Sequence, residues 1–291
     1  MFNPAILLSY FGGIGRALST RNYRVYWTGQ VVMVQGFWIY KIASGWLMFE
    51  LTHSPAWLGA LGSAYMLPIL FLGPFGGAVA DRFGYRRCAL VMVGSGAIMA
   101  LITATLVGQG LITPLLLVFL TLVQGVLFAF EFPARQALFP NLVARKDMSA
   151  AVALNSTTFH SSAFVGPLIG GVLLAVSGAG AAFAANAFCL LWMMGAIYLI
   201  PSPPNLSDRL AAKKASGIVN DLKAGLRYTK DHIDIRLLIL LSLTAALLIR
   251  HYLDFLPGFA GEIFDRDEEG LAAMTSAAGI GAMIFASIIA F

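Results

Sequence analysis

Gly77-Ala78-Val79-Ala80-Asp81-Arg82-Phe83-Gly84-Tyr85-Arg86-Arg87 sets one acid and three arginines in a short glycine-bounded stretch. On either side the chain is almost wholly apolar, over residues 57 to 79 before it and 89 to 109 after it. Each flank has the length of about 20 residues that a helix needs to cross a bilayer core of roughly 30 Å. Helices apolar on every side cannot rest at a protein surface in water. The quoted stretch is therefore a charged loop between two membrane spans. Its arginines mark the side on which it stays, because positive residues are retained in the cytoplasm.

Working outward from this loop, six further segments meet the same criterion. The eight expected spans lie near residues 27 to 50, 57 to 79, 89 to 109, 112 to 131, 150 to 177, 179 to 200, 237 to 258 and 270 to 291. Composition agrees: 59% of the residues are hydrophobic and 11% charged, with a mean hydropathy of +0.81. A water-soluble domain carries roughly a quarter charged residues. Sixteen of the 19 lysines and arginines fall before span 1 or in the 2–3, 4–5 and 6–7 connections. That asymmetry places the N-terminus in the cytoplasm, and the first span serves as its own insertion signal. Residues 1 to 26 form a cytoplasmic segment, 27 to 200 a six-helix bundle, 201 to 236 a cytoplasmic linker, and 237 to 291 the start of a second bundle. In the linker Val219, Leu222 and Leu226 recur at helical spacing among charges, as expected of a helix lying along the inner membrane surface. The chain stops at Phe291 inside an apolar run, so a longer natural chain with further helices is expected. Cys88 and Cys189 stand apart from each other and from any histidine pair, which makes them packing residues.

The quoted loop resembles the G-x-L-A-D-R-x-G-R-R signature of the major facilitator superfamily, with Gly77, Asp81, Arg82, Gly84 and Arg86 at matching positions. Gly166-Pro167-Leu168-Ile169-Gly170-Gly171 is similar to the G-P-x-x-G-G motif of that superfamily's exporters. Residues 22–27, 45–47, 132–137, 153–156 and 221–228 resemble a branch that includes the enterobactin exporter. The resemblance implies an all-α polytopic fold of two six-helix bundles, a plasma-membrane location, and alternating access to a central cavity. It implies further that Asp81 belongs to a cytoplasmic gate, where Arg135 at the inner end of span 4 is placed to pair with it. Span 4 carries Gln124-Gly125 without the arginine of many proton-coupled members, and Ala163 stands where many branch members have arginine.

Ionisable groups inside hydrocarbon cost several kcal/mol unless paired or solvated, so each marks a candidate pathway. Lys41 lies about 14 residues into span 1 and shares a helical stripe with Gln30, Phe37, Ser44 and Met48. Two readings stand: Lys41 faces a wet cavity and attracts an anion, or its stem reaches the outer headgroups. The remaining distance of roughly 13 Å favours the cavity. Arg250 and Asp254 sit four apart on span 7, spaced for an ion pair that either holds register or takes part in gating. If protons drive transport, Asp254 and His251 are the groups placed to carry them. On span 5, Asn155, Thr158, Ser162 and Gly166 form a polar stripe that lines the pathway or bonds the preceding turn of its own helix.

The expected function is a secondary transporter, an exporter of siderophore-like or amphipathic small molecules. The alternative is a membrane scaffold or sensor derived from such a transporter. The expected partners are the bilayer, a small-molecule substrate and protons; nucleic acid and cofactors are not expected. No paired carboxylates, metal-spaced histidines, nucleophile with a base or phosphate-binding Gly-rich loop suggest an enzyme or a nucleotide-driven pump.

Overall fold

Helices begin where the chain can start them cheaply. In the computed structural model, which describes residues 12–201, 227–248 and 252–290, Pro55 and Pro114 each open a helix, at a position where their missing N–H goes unused. Thr113 caps the second of these by accepting a bond from the Leu116 amide at 3.3 Å. The helices in chain order are α1 (Gly12–Ser19), α2 (Arg21–Thr52), α3 (Pro55–Phe83), α4 (Tyr85–Gly108), α5 (Pro114–Leu138), α6 (Met148–Leu199), α7 (Ile233–Leu248), α8 (Tyr252–Gly258) and α9 (Glu268–Ala290). Short 3-10 turns at Phe139–Leu142 and Arg145–Asp147 join α5 to α6, and a π-turn at Phe259–Ile263 follows α8. No strand occurs among the described residues.

Five of the described helical stretches are long and apolar enough to cross a membrane, the last being Arg145–Leu199. That last stretch is bent: Gly178, with φ 75° and ψ 176°, lies outside helical geometry. The two arms of α6, at about 30 and about 20 residues, are each long enough to span. The break falls at the boundary expected between spans 5 and 6, where glycine adopts a backbone other residues resist. The first long helix starts at Arg21, earlier than the expected span, because α2 continues past its apolar stretch into polar sequence. The span expected over residues 237 to 258 falls on α7, α8 and the undescribed residues between them. The amphipathic stretch expected around Val219, Leu222 and Leu226 lies outside the described residues.

α2 runs through the middle. Of its most apolar stretch 72% is buried, against 22% to 33% for the other four. It packs most extensively on α6, where Gly29 lies under Met193 and Ala196, and Gly36 lies against Cys189. Asn186 donates to the Gly36 carbonyl at 2.8 Å. α3 meets α5 by the same device, with Gly76 on the Ala129 carbonyl and Gly125 on that of Tyr65. Lipid is as apolar as leucine, so such helices associate through close backbone approach rather than hydrophobic drive. Accordingly large apolar side chains point outward, among them Leu115 at 71% and Val176 at 78% exposure. α9 docks along α6: Gly171 lies against Ala272, Gly279 against the Ala163 carbonyl, and Ser276 donates to the Phe164 carbonyl at 3.0 Å.

Candidate translocation site

The stripe expected along the first span divides into three environments. Phe37, Lys41 and Ser44 line a cavity enclosed by α2, α3 and α5 and closed on the far side by Pro257 of α8 and Leu271 and Thr275 of α9. Met48, at the C-terminal end of the stripe, is fully buried in the core. Gln30, at the N-terminal end, turns to Arg135 instead. The cavity holds about 70 Å³, room for a few waters at roughly 30 Å³ each and well below the roughly 300 Å³ of ordinary ligand pockets. Its walls are aromatic and aliphatic, with hydroxyls from Ser44, Thr121 and Thr275 and the ammonium of Lys41. Tyr40 and Thr121 satisfy each other at 2.9 Å. The indole N–H of Trp38, also in the wall, has no acceptor within the protein.

About three turns toward the N-terminus of α2 lies a charged cluster that sequence reasoning missed. Arg135 pairs with Glu131, one turn earlier on α5, and donates to the amide oxygen of Gln30 on α2. Tyr26 donates to the Arg135 carbonyl at 3.4 Å. Glu131 and Arg135 are 3% and 4% exposed, and the second oxygen of Glu131 has no partner. The signal was available: an acid four residues before an arginine in an apolar helix is spaced for an ion pair. It was overlooked because Glu131 sits at the edge of the expected span 4. The pairing expected between Arg135 and Asp81 is corrected accordingly. Asp81 accepts from the Tyr85 hydroxyl at 2.6 Å, while Arg135 faces α2.

The signature loop is anchored by its later arginine. Arg86 donates from Nε to the Ile197 carbonyl at 3.2 Å and from Nη2 to that of Tyr198 at 2.8 Å, and its guanidinium lies 6.0 Å from the Tyr198 ring centre. A cation at the last carbonyls of a helix satisfies groups that have no intrahelical donor and complements the helix dipole. Gly84, with φ 94°, makes the turn between α3 and α4. Gly77 faces open space and Arg82 is exposed.

The polar stripe of α6 serves packing for the most part. Ser162, 1% exposed, accepts from Gln35 at 2.8 Å, and Thr158 accepts from the Trp27 indole at 3.0 Å. Asn155 is partly buried and its side-chain oxygen has no partner. The glycines of the exporter-type motif are shared between two neighbours. Gly166 lies against Trp38 and Gln35, Gly170 against Ile39 and Ile42, and Gly171 against α9, while Pro167 is buried between them. Arg250 and His251 lie outside the described residues, and Asp254 belongs to α8 without a described side chain.

A bent, glycine-packed bundle of apolar helices, several of them long enough to cross a bilayer, around a small cavity defines a multi-pass membrane protein. Residues 16–291 match the model of the transmembrane secretion effector family of the major facilitator superfamily, and the chain belongs to that family. It is 26% identical to the staphyloferrin A transporter of Staphylococcus aureus over 263 residues, 90% of this chain and 65% of that one. It is 30% identical to the enterobactin exporter EntS of Shigella boydii over 161 residues, 53% of this chain and 38% of that one. The multidrug efflux pump Tap of Mycobacterium tuberculosis shares 30% identity over 146 residues, 47% and 34% of the two chains. These relatives are transporters, not enzymes, and the matched region spans less than two thirds of the length of each.

Proposed function

We propose that the chain forms part of a secondary exporter of siderophore-like or amphipathic small molecules in the plasma membrane, working by alternating access. The observation that carries this reading is the cavity around Lys41 and Ser44, whose near wall belongs to α2, α3 and α5 and whose far wall belongs to α8 and α9. A site between two groups of helices changes the side it faces when one group rocks against the other. Its small volume fits an occluded stage, with room for substrate created as the groups separate. Relatives that carry staphyloferrin A, enterobactin or drugs support the substrate class.

In this reading eight spans are present, six in the first bundle and two in the second, and the N-terminus is cytoplasmic by the distribution of Lys and Arg. The loop with Gly77, Asp81, Arg82, Gly84 and Arg86 forms the inner gate. Protons drive transport through Asp254 and His251, with Arg250 as the neighbouring charge. Lys41 attracts the anionic groups of the substrate. Replacement of Lys41 or Asp254 by alanine is expected to abolish efflux of amphipathic compounds from loaded cells while membrane abundance is unchanged, as read by immunoblot. Normal efflux from both variants would remove these residues from the pathway.

A further inference from the structure

Two rings of the cavity wall, Phe37 and Tyr65, do not end the aromatic surface. Phe128, one helix away on α5, lies 6.2 Å from Phe37 at an interplanar angle of 25° and 5.8 Å from Tyr65. Phe132, a turn further along α5, stacks on Phe128 at 5.5 Å and 28°. Beyond it the guanidinium of Arg135 lies 5.8 Å from the Phe132 ring centre. The rings thus run from the cavity toward the end of the bundle that carries the signature loop. They become more open along the way: Phe128 is half-buried and Phe132 is 42% exposed.

We infer that Phe37, Tyr65, Phe128 and Phe132 form a stacked track by which a flat aromatic substrate enters the cavity, and that the substrate carries an acceptor group for the unpartnered indole N–H of Trp38. This rests on the transporter reading of the cavity and narrows its substrate class. Offset rings 5.5 to 6.2 Å apart present a face at each step, and an aromatic guest exchanges one stacking partner for the next without losing the interaction. A saturated guest of equal size and charge gains only the apolar contact. A buried N–H without an acceptor favours a guest that supplies one.

The test uses the full chain in lipid nanodiscs, with empty nanodiscs subtracted, and two radiolabelled probes of equal charge: naphthoate, which is flat and aromatic, and its saturated decalin carboxylate counterpart. Naphthoate is expected to bind at least about threefold more tightly. Phe128→Leu and Phe132→Leu keep an apolar side chain but remove the ring face, and each is expected to shrink that preference toward parity. Equal binding of the two probes by the unmodified protein would overturn the track and leave a cavity that takes either guest. A preference that survives in both leucine variants would likewise overturn it. Binding of neither probe would remove both the track and the cavity reading on which it rests.

Discussion

Lys41 stood out in sequence because a cation in the middle of an apolar run has few places to go, and the structure sets it and Ser44 in the wall of a cavity. Gln30 and Met48 share their stripe yet face elsewhere, since helical periodicity identifies a face but not which neighbour covers each part of a long helix. The charged cluster follows a different rule. Removing one partner of a buried pair leaves the other charged and unsatisfied, at a cost of about 3–5 kcal/mol. Glu131→Ala leaves the buried Arg135 without its carboxylate partner, and is expected to lower the thermal unfolding midpoint well below that of Glu131→Gln, which keeps an acceptor. Equal midpoints for the two variants would show that an acceptor at position 131 does not stabilise the buried Arg135.

Helix positions were readable from hydropathy, and Gly178 marked its own break, because lipid forces every span to satisfy its backbone internally. Packing was less readable. The glycines of Gly166-Pro167-Leu168-Ile169-Gly170-Gly171 look alike in sequence, but two lie against α2 and one against α9. The spacing of glycines does not encode which neighbour arrives, since each turn of the helix meets a different one. Gly279 decides how closely α9 can approach. A Cβ there would stand 2.5 Å from the Ala163 carbonyl oxygen and 2.8 Å from the Phe164 nitrogen, both backbone atoms that cannot swing away. Gly279→Val is therefore expected to push α9 off α6 and to speed tryptic cleavage at the exposed Arg266 just before it. An unchanged cleavage rate would mean that α9 tolerates a wider separation without loosening.

At the scale of the whole molecule, two groups of helices meet across a cavity too small for a siderophore-sized guest. On the proposed alternating-access reading the groups part first toward one side and then toward the other, so that a residue at the meeting point is reached in turn from each. Ser44 is that residue: it lines the cavity yet is only 4% exposed in this conformation. Cys88 and Cys189 are buried, and alanine at both gives a background free of their thiols. The most direct measurement is the reaction of Ser44→Cys in that background with a membrane-impermeant thiol reagent, applied separately to right-side-out and inside-out vesicles. Alternating access predicts modification from both sides; modification from one side only, or from neither, would contradict it.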